Sequence, residues 1–290
     1  GFPAPRRNAF DATCMSPADM PFELASINAS AALHVGSFIS DVMVQYAQPR
    51  PWILLQEGGE NTYVSSAMPQ KRNPGLMINT RAAASDVIGQ AQTVILKAHN
   101  IPPGMSDPKS VSDNAKLAND TSALLKQFTR VIKALCVNPE RALEELNSDW
   151  TASQEVADVL MREYKLPFRV GHHVASHIVT YARNNNLSPT NFPYEQVKKI
   201  YAEVIKSEYP QGNPVCPMSE QEFRDTLNPT AIVANRKTEG GPQPAELTKA
   251  LSAADAAIAE QREWTKQNRR HIDQSLAKLD ADFQKLVEQK

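Results

Sequence analysis

Three long stretches in the first half of the chain carry apolar residues at the three- and four-residue spacings of buried helices. They cover residues 17–48, 74–99 and 112–136, and the first contains no proline after Pro21. Long helices joined in this way are typical of an elongated helical bundle. Their apolar residues occupy more than one side of each helix, which one short chain cannot bury. We therefore predict a core bundle that is shared between subunits.

Shorter helical patterns separated by proline-containing turns fill residues 139–240, and the turn EGGPQP precedes a last helix from Ala245 to about 290. We expect this last helix to pack against a neighbouring element. Strand signals are nearly absent along the chain. The patterns thus predict an all-α protein with a central helical-bundle domain at 1–138 and a smaller all-α C-terminal domain at 139–290.

Charge and cysteine content narrow the class of protein. The chain has 31 basic and 32 acidic residues, a net charge of −1, which argues against nucleic-acid and membrane-surface partners. Its three cysteines, Cys14, Cys136 and Cys216, are far apart, as expected for reduced thiols in the cytoplasm. No uninterrupted apolar run approaches the roughly 20 residues of a membrane-spanning helix.

The stretch EGGENTYVSSAMPQKR, residues 57–72, predicts a long functional loop before the second helix. Asn73 is a favoured N-cap residue and Pro74 a favoured first helical residue, which would place Ser65, Ser66 and Lys71 just before a helix N-terminus. A helix N-terminus and a lysine together stabilise carboxylates, and in the same field a serine alkoxide is favoured as a base. The alternative is a polar loop before an ordinary capped helix.

The segment SSAMPQKRNP, residues 65–74, resembles the signature of the fumarase/aspartase superfamily, in which two serines after a glycine precede Met-Pro, a lysine and Asn-Pro. Residues 8–25, 166–179 and 235–247 are similar to the argininosuccinate lyase branch of that superfamily. The resemblance covers essentially the whole chain but only the second half of the family's chain. It implies an all-α homotetramer in which each active site is built from three subunits.

The resemblance also implies a role for each residue that matches the signature. Ser65 matches the catalytic base that removes a Cβ proton. Lys71 and Asn73 match the residues that hold the substrate carboxylate and stabilise the aci-carboxylate intermediate, and Ser66 and Met68 match loop positions that close over the substrate. The reaction implied is elimination of fumarate from an N-succinyl-type compound, without a metal or cofactor. We expect the loop from about 58 to 68 to order over a bound dicarboxylate.

Several features depart from the family pattern. Val64 stands where the family has a glycine, and valine resists the backbone conformations that glycine allows. The connection near Met105, Ser110 and Asp113 has no tyrosine or glutamine for the amino-acid end of argininosuccinate, so argininosuccinate is not the first choice of substrate. None of the six histidines follows a threonine, as the family's catalytic histidine does.

That histidine belongs to the family's N-terminal half. We therefore expect activity only together with a second polypeptide that carries the N-terminal half, in a tetrameric assembly. The alternative function is a non-catalytic, crystallin-like structural protein or an inactive fragment of the same fold.

Other candidate sites carry weaker signals. His173 and His177, four residues apart on a helix, have a spacing that suits zinc, but without a third ligand a packing or capping role is favoured. Glu155, Asp158 and Glu163 on one predicted helix indicate a solvated face. Cys14 has no cysteine or histidine partner nearby, so no nucleophilic role is expected.

Overall fold

A computed structural model describes residues 19–99 and 111–288, together with residue 4 and residues 7–10. Helices dominate these residues and the few strands are short, so the predicted all-α fold is confirmed. The chain forms two compact units, one ending at Arg141 and one beginning at Ala142. The division falls inside helix α4 (Pro139–Ser148).

The first unit contains the three predicted long helices, α1 (Asp19–Tyr46), α2 (Gly75–Ala98) and α3 (Val111–Ala134). Each is apolar along the stripe that faces the other two, and burial of that stripe stabilises the bundle. The largest fully buried side chains of this core are Ile39, Met77, Leu117, Leu124, Val87 and Val131.

The end of the third helix differs from the prediction. Helix α3 stops at Ala134, and Leu135–Val137 form strand β4, which pairs antiparallel with β1 (Ile53–Leu55). The ladder continues at both ends, because the Gln56 N–H donates to Ala134 O and the Asn138 N–H donates to Trp52 O, each at 2.7 Å. The extended segment from β1 therefore takes up backbone groups that would otherwise continue the helix.

The second unit has its own core, centred on aromatic residues. The rings of Trp150 and Phe192 meet edge to face at 5.4 Å, and Phe223 packs against Phe192 at 6.2 Å. Its helices after α4 are α5 (Ser153–Arg162), α6 (Phe168–Asn184), α7 (Tyr194–Glu208), α8 (Glu220–Thr226), α9 (Pro229–Asn235) and α10 (Pro244–Glu288).

The long last helix is present as predicted but does not pack as expected. None of the residues of α10 is buried, and large side chains such as Trp264 and Phe283 are 66% and 61% exposed. The expectation that it packs against a neighbouring element of this chain is therefore wrong. The 45-residue helix is held by its own backbone hydrogen bonds and by pairs such as Lys278–Asp282, four residues apart.

Helix α1 is long and apolar enough, by length and composition, to meet the criteria of a membrane span. This finding qualifies the expectation from the sequence that no apolar run approaches the length of a membrane-spanning helix. Seven of its residues are buried, and it packs against both α2 and α3, as a core helix of a bundle does.

Candidate functional site

The serine-bearing segment folds as a small hairpin, which the sequence did not predict. Strand β2 (Tyr63–Val64) pairs antiparallel with β3 (Arg72–Asn73), so that Tyr63 lies opposite Asn73 and Val64 opposite Arg72. We call residues 63–73 the serine hairpin and residues 65–71 its turn. Val64, where the family has glycine, occupies an extended strand position that suits a β-branched side chain.

The expected N-cap of α2 is wrong. Pro74, not Asn73, is the N-cap residue, and it makes no side-chain capping bond. Asn73 belongs to β3 instead, and its Nδ2 donates to Tyr63 O across the hairpin at 3.2 Å. At the helix start, the Leu76 N–H donates to Asn61 O at 3.1 Å. The donors nearest to Ser65 are therefore those of its own turn, rather than the helix N-terminus.

Tyr63 also explains the glycine that begins α2. A Cβ atom at Gly75 would lie 2.9 Å from the Tyr63 ring carbon Cδ1, closer than carbon atoms pack. Gly75 thus lets the aromatic ring lie against the first turn of the helix.

Ser65 sits at the start of the turn with its hydroxyl oxygen facing backbone donors. Its Oγ accepts from the Ala67 N–H at 3.3 Å and from the Met68 N–H at 3.2 Å. Hydrogen bonds to an oxygen favour its negatively charged form, so this geometry favours the alkoxide that a serine base requires. The turn is closed by the Lys71 N–H, which donates to Met68 O at 3.1 Å.

Lys71 and Asn73 line a cleft of about 540 Å³ between the hairpin and the end of α1. Among the residues that the structure describes, no carboxylate pairs with the exposed Lys71 ammonium, so this cation is available to a ligand. The turn residues Ser65, Ser66 and Met68 precede these lining residues in the sequence but do not themselves line the cleft. The fold of this chain therefore brings the lysine and asparagine to one cleft and leaves the serines on the adjoining turn.

Three residues around the hairpin, Arg72, Glu57 and Tyr46, were not identified as site residues from the sequence. Arg72 pairs with Glu57, with its Nε 3.1 Å from Oε2, and the Tyr46 hydroxyl donates to Arg72 O at 3.1 Å. All three line the same cleft. Tyr46 and Arg72 are 26 residues apart, so no local pattern could have joined them.

Glu155 contradicts the predicted solvated face. Its side chain is fully buried, and its Oε1 accepts from Arg162 Nη2 at 2.5 Å and from Asn235 Nδ2 at 3.4 Å. Asp158 pairs with Arg236 at 3.4 Å, and only Glu163 of the three acids is exposed as predicted. Arg162 on the same helix, together with Asn235 and Arg236 at the end of α9, allows the carboxylate of Glu155 to be buried.

The remaining candidates have ordinary partners or lie elsewhere. His173 Nδ1 is hydrogen-bonded to the Glu208 carboxylate and His177 is exposed. Within residues 19–99 and 111–288, no three potential ligands are grouped in a way that would hold a metal ion. Asp113 pairs with Lys97. Cys14, Met105 and Ser110 lie outside the described residues.

Comparison with known proteins shows that the second unit is similar to a known family. A family model described as the argininosuccinate lyase C-terminal region matches residues 150–234. The argininosuccinate lyase of Methanosphaera stadtmanae is 27% identical over 198 residues, which cover 68% of this chain and 41% of that protein. Argininosuccinate lyase 2 of Agrobacterium fabrum is 26% identical over 261 residues, which cover 87% of this chain and 49% of that protein.

Solved structures show the same fold. EDDS lyase in complex with formate superposes with a TM-score of 0.71 at 20% identity, covering 91% of this chain and 50% of that chain. The class II fumarase from Schistosoma mansoni gives a TM-score of 0.50 at 17% identity, covering 72% of this chain and 43% of that chain. The chain spans about half the length of the curated relatives that it matches.

Proposed function

We propose that this chain, which is similar to the C-terminal part of the argininosuccinate lyase-like branch of the fumarase/aspartase superfamily, contributes the serine hairpin to a fumarate-releasing lyase. The substrate is an N-succinyl-type compound, and the proposed reaction uses no metal or cofactor. The observation that carries the proposal is the Ser65 hydroxyl oxygen held by two backbone N–H donors beside a lysine-bearing cleft.

Ser65 is the proposed base. Its alkoxide takes the proton from the substrate Cβ, and the electron pair of that C–H bond moves into the adjacent carboxylate to give an aci-carboxylate. The Ala67 and Met68 N–H groups offset the loss of the serine proton, because they point at the oxygen that becomes charged. Collapse of the aci-carboxylate breaks the C–N bond and releases fumarate and an amine.

Lys71 and Asn73 are proposed to hold the carboxylate that gains charge. An ammonium facing a developing dianion stabilises the intermediate more than the substrate, which lowers the barrier to proton removal. Asn73 is held by its bond to Tyr63 O, so its amide oxygen and remaining N–H keep a fixed orientation at the cleft. Ser66 and Met68, both exposed on the turn, are proposed to cover the bound substrate.

The amine that leaves must be protonated by an acid, and no histidine here matches the family's catalytic one. We propose that the N-terminal half supplies this acid from a second polypeptide, in a cytoplasmic tetramer. The exposed apolar side chains of α1 support shared helices, because a surface this apolar usually marks an interface; they include Met20, Phe22, Ile27, Leu33 and Val44.

The test is fumarate formation, followed by ultraviolet absorbance, with this chain, the N-terminal half, and the two mixed. Only the mixture should turn over. Ser65→Ala in the mixture should lower kcat by about 10²- to 10⁴-fold and leave fumarate affinity nearly unchanged, because the hydroxyl acts in the transition state. Lys71→Met should lower both kcat and the affinity for fumarate. Ser252→Ala, an exposed serine on α10, is the matched control and should change neither.

Robust turnover by this chain alone, or undiminished turnover of the mixture with Ser65→Ala, would contradict the proposal. An inactive mixture that binds no fumarate would favour the structural, crystallin-like alternative. Amide hydrogen exchange gives a second readout, since the segment from Gly58 to Met68 should be better protected when fumarate is bound.

A further inference from the structure

The Arg72 side chain folds back onto the turn that carries Ser65. Its Nη1 donates to Pro69 O at 2.6 Å and to Lys71 O at 3.3 Å, while its Nε faces Glu57 Oε2 at 3.1 Å. One guanidinium thus connects two carbonyl groups of the turn to a carboxylate that lies outside the hairpin.

The backbone of Arg72 is fixed as well. It pairs with Val64 in the hairpin ladder, and its carbonyl oxygen accepts from the Tyr46 hydroxyl at the end of α1. Burial, followed by the Glu57 carboxylate, raises the pKa of the Tyr46 phenol above its ordinary value, although Arg72 acts in the opposite direction. The phenol therefore stays protonated as a donor well above neutral pH.

The turn depends on these contacts because its own hydrogen bonds are few. Inside the turn, Ser65 Oγ accepts from Ala67 and Met68, and Lys71 donates to Met68. The Pro69 and Lys71 carbonyls bond to Arg72 instead. Without Arg72, these two carbonyls would bond to water, and the turn that also carries the N–H donors of Ser65 Oγ would lose two of its hydrogen bonds.

We infer that Arg72, anchored by Glu57 and Tyr46, is a positioning residue that sets the conformation of the turn bearing Ser65 and Lys71. Its catalytic consequence rests on the proposed function, whereas its effect on the turn does not. The guanidinium is required for its shape, because only a planar fork reaches two carbonyls and a carboxylate at once. A lysine at this position keeps the charge near Glu57 but cannot make all three contacts.

The first experiment measures amide hydrogen exchange of residues 65–71 in the wild-type chain of 290 residues and in its Arg72→Lys and Arg72→Gln variants. Both should exchange roughly tenfold or more faster in the turn, the change expected for two lost hydrogen bonds. Arg130→Gln is the matched control, because Arg130 also pairs with a loop glutamate, Glu60, at 2.9 Å but bonds to no carbonyl of the turn. It should exchange as the wild type does.

The second experiment measures steady-state kinetics of the same variants mixed with the N-terminal half. Both Arg72 variants should lower kcat about tenfold or more and change KM by less than about threefold, since a displaced base affects the transition state more than binding. Full rescue by Arg72→Lys would show that only charge matters and would overturn the inference. Glu57→Gln should show the same defect to a smaller extent, because it removes the anchor and keeps the donors.

The positioning role of Arg72 and the proposed role of Ser65 as the base can be contradicted separately. If the amides of the turn exchange at the wild-type rate in both Arg72 variants, the inference is overturned, whatever the activity of these variants. Faster exchange in the turn, combined with turnover that is insensitive to Ser65→Ala, supports the positioning role and rejects Ser65 as the base. Thermal unfolding of each variant separates a local change in the turn from loss of the fold. If Arg72→Gln does not fold and Glu57→Gln shows the exchange of the wild type in the turn, the inference is also overturned.

Discussion

Replacing Glu155 by glutamine should destabilise the second unit, because the buried carboxylate accepts from its own helix α5 and from the end of α9. Its Oε1 accepts from Arg162 at 2.5 Å and from Asn235 at 3.4 Å, and Arg236 lies 4.0 Å from Oε2. Glutamine keeps the volume and one acceptor oxygen but removes the charge. Its amide NH₂ would also face the Arg236 cation.

The magnitude follows from these contacts. A hydrogen bond between charged groups contributes about 1.5–3 kcal/mol, and a neutral one about 1 kcal/mol. Arg162 is 36% exposed and Arg236 39% exposed, so both recover part of their hydration when the charge is lost. We expect a loss of about 2 kcal/mol in the free energy of unfolding, or about 5 °C in Tm.

Denaturant unfolding followed by tryptophan fluorescence is a suitable assay, because Trp150 is buried in the core of the same unit. Glu163→Gln is the matched control, an exposed acid at the end of the same helix, and should change stability by less than about 0.5 kcal/mol. Equal effects of the two substitutions would refute the reasoning, because the buried network would then contribute nothing that an exposed carboxylate does not.

Two further predictions concern packing and pH. Gly171→Ala should destabilise the second unit, because a Cβ there would lie 3.2 Å from Ala157 Cα, whereas Gly89→Ala, with no neighbour within 4 Å, should stabilise α2 by up to about 1 kcal/mol in thermal unfolding. The hydrogen bond to Glu222 raises the pKa of Tyr164 to about 12. As the pH rises, the unfolded chain loses the Tyr164 proton before the folded chain does. The stability that this hydrogen bond contributes is therefore complete below pH 10 and is lost as the pH rises through about 12. Tyr164→Phe should reduce that loss, as measured by denaturant unfolding at several pH values.

The sequence was sufficient for the long helices, since periodicity over many turns is a local property. Helices α1, α2 and α3 lie within about two residues of the predicted bounds. Strands β2 and β3 have two residues each, too few for a pattern of alternation. Strands β1 and β4 pair Ile53 with Val137, and a contact between positions so distant in the sequence leaves no local signal.

Glu155 and Asn73 show why residue types alone were misleading. Acids spaced along a charged helix usually face water, but the burial of Glu155 depends on Asn235, 80 residues later in the chain. Asparagine before proline usually caps a helix, but here the pairing of Asn73 with Tyr63 competes with capping and wins. In both cases a tertiary partner decided between two local preferences.

The two ends of the segment at residues 58–72, which carries Ser65, differ in a way that constrains any closing motion in the proposed reaction. At one end, Gly58 and Gly59 have φ of +89° and +56°, and a Cβ on either would meet no atom within 4 Å. At the other end, Val64 and Arg72 are joined in the hairpin ladder. Rotation at the glycines meets no close atom, although it would separate Arg72 from Glu57 and Tyr46. Unwinding the hairpin, in contrast, would remove the donors from Ser65 Oγ. A closure that keeps the base competent therefore moves the serine hairpin as one piece.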